Sequence, residues 1–219
     1  MKAIILSAGE GSRMRPLTLT KPKTMLPVAG KPIIQYNIEA LKNNGINDIL
    51  LIVRYKEEIV REYFGDGSEF GVNITYKTQE DFLGTANAIS YGEDFIEDSL
   101  LVLNGDIILD DEIIHEIIKK YKELKPDTLM VLTEVDDPSA FGVVEIEDGN
   151  IKSIVEKPKK EDAPSNLINT GIYVFIKTFS AKSKRRKYQK GENMKLPIQF
   201  PCRLMKAKRS LAIRLTRTG

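Results

Sequence analysis

Short apolar runs and helical stripes take turns along the first 125 residues. Lys2–Ser7 (KAIILS) is an apolar run that leads into glycines, as a buried strand does. Pro32 opens a helical stretch in which Ile34, Ile38 and Leu41 fall on one face, and Gly45 stops it. Asp48–Val53 (DILLIV) is a second buried-strand run, 56–64 reads as a helix and 73–77 as a strand. The alanine-rich stretch 84–91 is long enough for one or two helical turns, and 99–103 (SLLVL) is the next buried strand. In 111–125, Ile113, Ile114, Ile117, Ile118, Tyr121 and Leu124 keep helical spacing, with Pro126 just beyond.

Strands alternating with helices predict βαβ units and a parallel sheet covered on both faces. Thr128–Glu134, 143–146, 151–156 and 167–175 then read as strands with little helix between them, and 157–165 (KPKKEDAPS) as a turn. The expected fold is an α/β sandwich of three layers, Rossmann-like, whose later sheet is mixed with antiparallel strands.

Composition narrows the class. With 219 residues, 42% hydrophobic and 29% charged, the chain is one large domain or two small ones, at roughly 150 residues per domain. Disorder over the whole length, collagen and coiled coil are excluded. No apolar run approaches the ~18 residues of a membrane span, and the N-terminus enters a strand without a signal pattern. The single cysteine, Cys202, excludes an internal disulfide framework and a Cys-rich metal site. These features predict a cytoplasmic protein with no membrane partner. The net charge of +2 hides a split. Residues 1–180 hold 20 Lys+Arg and 30 Asp+Glu, a net of −10; residues 181–219 hold 13 Lys+Arg and only Glu192, a net of +12.

Candidate chemistry begins directly after the first strand, at Leu6-Ser7-Ala8-Gly9-Glu10-Gly11-Ser12-Arg13. In an open α/β sheet, ligands bind beyond the carboxyl ends of the strands. Gly9 and Gly11 let the backbone approach a polyanion that accepts from loop N–H groups. Arg13 adds a planar, always-charged fork suited to phosphate. The loop is neither a Walker sequence, since no Gly-Lys-Ser/Thr follows, nor a dinucleotide fingerprint, since the third glycine would fall at Met14. Downstream, Pro22 and Pro27 bracket Lys23, stiffening the segment that carries this cation.

The string from Gly9 through Arg13, Pro16-Leu17-Thr18 and Pro22-Lys23-Thr24-Met25-Leu26-Pro27 closely resembles the signature of the sugar-1-phosphate nucleotidyltransferases, or nucleoside-diphosphate-sugar pyrophosphorylases. Further motifs follow in that family's order. Gln79 stands five residues before Gly84-Thr85-Ala86; in the family a glutamine here reads the pyrimidine edge and the Gly-Thr turn packs on the base. An amide offers both a donor and an acceptor to uracil or thymine. Asn104-Gly105-Asp106 ends the SLLVL strand, where the family places a metal aspartate. A carboxylate there suits Mg²⁺, although an Asp in a turn is also a common local cap. Phe141-Gly142-Val143-Val144, Glu156-Lys157-Pro158 and Asn169-Thr170-Gly171-Ile172-Tyr173 resemble the family's sugar-facing segments. The resemblance covers about residues 1–180 and implies the nucleotide-diphospho-sugar transferase type of fold.

The resemblance also implies the site. Leu6, Ala8, Gly9, Gly11 and Ser12, with Gln79, Gly84 and Thr85, would bind the nucleotide. Gly142, Glu156, Lys157 and Asn169 would bind the sugar phosphate, and Asp106 would hold Mg²⁺. Arg13 would hold the leaving pyrophosphate and Lys23 the phosphate under attack. The implied reaction joins UTP or dTTP to a sugar 1-phosphate, with glucose or N-acetylglucosamine as the sugar, and releases pyrophosphate. No protein nucleophile is needed, only positioning and charge neutralisation. A second metal ligand belongs to the family's W-x-D segment, and this chain has no tryptophan. A rival reading is a non-catalytic nucleotide or sugar sensor on the same fold, whose mark would be loss of Arg13, Lys23 or Asp106; all three are present. His115, alone on an amphipathic helix, reads as a surface residue.

The basic tail admits two readings. Dense Lys and Arg would suit a nucleic-acid arm. Reading the last base of each codon with the first two of the next gives the better account. In that frame 190–200 can encode RGEYEITDSI, 203–210 can encode IDEGKEV and 214–219 can encode IDEDW, resembling the family's continuation toward W-x-D. Each Met-Lys pair, at 194–195 and 205–206, forces a glutamate. An acidic stretch read out of frame becomes basic, which explains the charge split and removes the need for a nucleic-acid partner. Residues 1–180 are thus expected to be an incomplete catalytic domain and 181–219 an out-of-frame tail with no packed element, the break falling between about Phe179 and Lys187. The resemblance leaves room for a homo-oligomer and a left-handed β-helix domain in an intact parent.

Overall fold

The computed structural model describes residues 1–81, 84–176 and 210–214. Eleven strands and four α-helices are present among them: β1 (Lys2–Ser7), β2 (Pro27–Val28), β3 (Lys31–Pro32), α1 (Ile33–Asn43), β4 (Asp48–Val53), α2 (Glu57–Phe64), β5 (Asn73–Thr78), α3 (Thr85–Ser90), β6 (Ser99–Asn104), α4 (Asp111–Leu124), β7 (Thr128–Glu134), β8 (Gly142–Glu147), β9 (Asn150–Glu156), β10 (Leu167–Ile176) and β11 (Ser210–Arg214). Nine strands form one mixed sheet in the order β5-β4-β1-β6-β10-β7-β11-β9-β8, and β2 and β3 form a small separate ribbon. β5, β4, β1 and β6 are parallel, and β10 enters antiparallel between β6 and β7.

The sheet is covered on both faces because its central strands are apolar on both. Ala3 and Ile5 of β1 join a cluster with Ile34, Ile38 and Leu41 of α1 and Ile114 and Ile117 of α4. Ile4, one residue apart and therefore on the other face, packs with Ala88 and Ile89 of α3 and with Tyr173 and Phe175 of β10. Each fully buried Ile or Leu contributes roughly 1.5–3 kcal/mol. The three layers and the mixed sheet are those the hydrophobic pattern predicts.

Helix ends follow local chemistry. Asp110 caps α4 by accepting from the Ile113 N–H at 2.9 Å. Pro32, expected inside the first turn of α1, lies one residue before it in extended conformation. Among the described residues no helix is long and apolar enough to cross a membrane.

One expectation is overturned. Residues 210–214 form a strand in register with β7, Ser210 opposite Thr128 and Arg214 opposite Leu132, with Leu211 also opposite Asn150 of β9. Part of the tail is therefore paired into the sheet. The expected domain boundary near 180 and the reading-frame break lie outside the described residues.

Candidate functional site

Four parallel strands bring their carboxyl ends to one edge of the sheet, marked by the register pairs Ser7–Val53, Val53–Thr78 and Leu6–Asn104. After β1 the chain builds β4 and β5 on one side and then crosses to β6 on the other. The crevice where strand order reverses therefore lies between β1 and β6, the usual ligand position in such sheets.

The loop after β1 is held open by specific contacts. Gly11 has φ +63 and caps the 3-10 turn Ser12–Met14. A Cβ there would lie 3.0 Å from both Lys23 Cβ and Thr18 Cγ2. Gly11 is thus a glycine because of its left-handed backbone and its close neighbours, whereas at Gly9 a Cβ would meet nothing within 4 Å. Thr18, buried, donates to the Gly11 carbonyl at 2.9 Å, and Tyr55 Oη donates to the Thr18 carbonyl at 3.0 Å. Ser12 and Arg13 are exposed, and among the described residues Arg13 forms no salt bridge. Leu6 is half-buried and Ala8 is buried.

Lys23 starts a second 3-10 turn, Lys23–Met25, extended into by Pro22. Thr24 beneath it shares a 2.6 Å hydrogen bond with Ser7 of β1, which fixes the turn to the sheet. Lys23 Nζ donates to Asp106 Oδ2 at 2.7 Å. Asp106 is set by two backbone anchors. The Gly105 N–H donates to the Leu6 carbonyl at 2.9 Å, and a Cβ at Gly105 would come within 2.8 Å of that oxygen. Asn37, fully buried on α1, donates to the Ile107 carbonyl at 2.8 Å and accepts from the Leu109 N–H at 3.2 Å.

The residues expected to bind the base meet near the end of β5. Gln79 is buried, and its N–H donates to the Val53 carbonyl at 2.8 Å. Its Nε2 donates to Asn87 Oδ1 at 2.8 Å and to the Gly84 carbonyl at 3.3 Å. The donor end of the Gln79 amide is thus engaged by the protein. Gly84, at φ +91, opens α3, and Thr85 is its first residue.

The sugar-side candidates fall into two groups. Gly142 of β8 is the cross-strand partner of Glu156 of β9, and the Lys157 N–H donates to the Phe141 carbonyl at 2.8 Å. Lys157 is exposed, with φ +49. Asn169 lies at a bulge in β10, where its side chain donates to Tyr173 Oη at 2.5 Å and accepts from the Gly171 N–H at 3.0 Å. Burial and the nearby Glu156 charge raise the Tyr173 pKa, so its hydroxyl stays protonated, and the Asn169 bond opposes this only in part. The bulge touches β6, since a Cβ at Gly171 would collide with the Asn104 side chain. Ile168, next to Asn169, pairs with Val143 of β8, which links the two groups.

Sequence reasoning missed Ser7, Thr18, Asn37, Tyr55 and Asn87. Asn37 and Asn87 had a readable signal, each being a polar side chain set among apolar helix positions. Thr18 stood within the signature without an assigned role, and Tyr55 had no signal, because its partner is a backbone carbonyl chosen by the fold.

Residues 2–217 match the family described as nucleotidyl transferase. The chain belongs to that family. Its relatives include the bifunctional protein GlmU of Methanococcus maripaludis strain S2, 45% identical over 174 residues that make 79% of this chain and 39% of that protein. The UTP–glucose-1-phosphate uridylyltransferase AglF of Haloferax volcanii is 38% identical over 80% of this chain and 72% of its own length. The chain thus spans well under half of the GlmU relatives. Among solved structures, a Bacillus anthracis protein named for glucose-1-phosphate thymidylyltransferase, in complex with a sucrose, superimposes with a TM-score of 0.89 at 32% identity. That likeness covers 99% of this chain and 87% of the other. The family's fold is the nucleotide-diphospho-sugar transferase type, with the mixed central sheet seen here.

Proposed function

We propose that this nucleotidyl transferase chain carries a catalytic domain that transfers a uridylyl or thymidylyl group from UTP or dTTP to a sugar 1-phosphate, glucose or N-acetylglucosamine 1-phosphate, releasing pyrophosphate. The observation that supports it best is the meeting of Lys23 with Asp106 at the strand-order reversal, beside the Gly9–Arg13 loop. Two fixed cations and a row of loop N–H groups suit a substrate pair that is anionic on both sides. The uridylyltransferase and thymidylyltransferase names of relatives support the same chemistry.

In this reading the Gly9 and Gly11 backbone and Arg13 bind the leaving pyrophosphate. Lys23 neutralises the phosphate under attack, and Lys157 neutralises the attacking sugar phosphate. Gln79, Gly84 and Thr85 take the base, with Leu6, Ala8 and Ser12 along the nucleotide. Gly142, Glu156 and Asn169 take the sugar. Bringing two phosphates within reach of in-line attack is the main catalytic task, and the cations at this edge offset their mutual repulsion.

The donor set fits Mg²⁺ as a cation held chiefly by its substrates. Asp106 gives one carboxylate at a strand end, and Mg²⁺ commonly takes one or two carboxylates with phosphate oxygens and water. Among the described residues no group of three or more His, Cys, Asp or Glu could hold a metal unaided. When bound, the ion would draw negative charge from the phosphates. The expected second ligand would belong to the absent W-x-D segment.

The frame-shifted reading of 181–219 belongs to this proposal. It is supported by the +12 charge of the tail. The test is pyrophosphate release from UTP, dTTP, CTP and ATP with a panel of sugar 1-phosphates, run on this chain and on a version with the frame restored. The restored chain should turn over and this chain should be slow or inactive. Equal rates would make the tail a functional sequence, and no turnover by either would leave the sensor reading in place.

A further inference from the structure

Asn87 has no role in the chemistry described so far, yet it is bound to the residue proposed to read the base. The orientation of both amides follows from one backbone group. The Gly84 carbonyl can only accept, so the Gln79 atom 3.3 Å from it is the NH₂. That same nitrogen lies 2.8 Å from Asn87, which must then present Oδ1. Both hydrogens of Gln79 Nε2 are taken, and Oε1 is what remains for a ligand.

The mounting is stiff. Gln79 is 2% exposed and tied through its backbone to Val53. Asn87 stands on α3, whose next two residues, Ala88 and Ile89, share an apolar cluster with Ile4 of β1 and Ala8 just beyond it. A rotated Gln79 amide would set its oxygen against two other oxygens, those of Gly84 and Asn87, and lose two hydrogen bonds.

We infer that Asn87 sets the base preference of the site as a positioning residue, locking Gln79 as a pure hydrogen-bond acceptor. This rests on the reading of Gln79 as the base contact. An acceptor suits the N3–H of uracil or thymine. It opposes cytosine, whose N3 carries a lone pair. Without Asn87, only the longer 3.3 Å bond to the Gly84 carbonyl opposes a turn of the amide that offers its NH₂ to that lone pair.

The experiment is calorimetric binding of UTP, dTTP and CTP in excess MgCl₂ to the chain as it stands and to Asn87→Leu and Asn87→Asp. Leucine has similar bulk and no acceptor; the aspartate carboxylate accepts from Nε2 as Asn87 does. The unchanged protein should prefer UTP and dTTP over CTP by roughly tenfold or more, the scale of one mismatched buried hydrogen bond. Asn87→Leu should compress that ratio to about threefold or less, and Asn87→Asp should keep it even if all three nucleotides bind more weakly. Preserved preference in Asn87→Leu, or lost preference in Asn87→Asp, would overturn the inference alone. A parent chain that binds UTP and CTP equally would overturn it too. A parent chain that binds no triphosphate would overturn the nucleotide site itself.

Discussion

Lys23 and Asp106 lie 83 positions apart in sequence and meet at 2.7 Å, ammonium against carboxylate. Each has another partner in the proposed reaction, Lys23 a phosphate and Asp106 a divalent cation. They hold each other in place when substrates are away. Their side chains are 33% and 40% exposed, so the pair adds about 1 kcal/mol or less to stability. Its value lies in keeping two opposite charges at the sheet edge without a large cost to separate them.

Replacing Lys23 by Ala should therefore leave folding nearly unchanged and remove much of the catalysis. In a frame-restored chain we expect at least a 100-fold fall in kcat/KM, roughly 3 kcal/mol of transition-state binding. Thermal denaturation and steady-state pyrophosphate release measure the two halves of this expectation. Near-normal turnover would take Lys23 out of the mechanism.

The two loop glycines should respond differently to alanine. At Gly11 the left-handed backbone and the 3.0 Å neighbours should make Ala cost about 1–3 kcal/mol and displace Lys23. At Gly9 the space is open, so Ala should leave stability within about 0.5 kcal/mol. Urea unfolding of the two variants checks the contrast, which vanishes if the loop is pliable.

Tyr76 gives a prediction on alkaline stability. Its hydroxyl donates to the Gly65 carbonyl at 2.7 Å, and burial pushes its pKa up to about 12, with Arg61 pulling partly the other way. The unfolded side chain titrates near 10. Between these values the unfolded chain releases the proton first, so the stability from this group is full below pH 10 and is lost toward pH 12. Tyr76→Phe should flatten the loss across that window while lowering neutral-pH stability by about 1 kcal/mol. Parallel pH–denaturation curves for the two proteins would contradict the assignment.

What could be read from the sequence was mainly what depends on neighbours along the chain. KAIILS and DILLIV announce buried strands because both faces are apolar, and α4 shows its stripe over four turns. The glycine loop was visible too, though the reason for Gly11 was not, because Lys23 and Thr18 approach it only after folding. The family resemblance named Lys23, Asp106 and Gln79 without indicating that Lys23 would hold Asp106 or that Asn87 would occupy the Gln79 amide. Strand β11 was misjudged because its five residues carry little periodic signal, and their place is decided by two partner strands far away in sequence.

That strand has a further consequence for the order of events on the ribosome. The hairpin of β8 and β9, which carries Gly142 and Glu156, is tied into the sheet through β11 and the Ile168–Val143 bridge. The opposite side of the sheet, β5-β4-β1-β6 with Lys23 and Asp106, pairs its four strands with one another within residues 2–104, and only the outer edge of β6 waits for β10. Chains emerge N-terminus first at about 5–20 residues per second, and contacts distant in sequence close late. The edge that carries Lys23 and Asp106 can assemble while the hairpin of β8 and β9 still waits several seconds for its neighbour, so position along the chain becomes timing during synthesis.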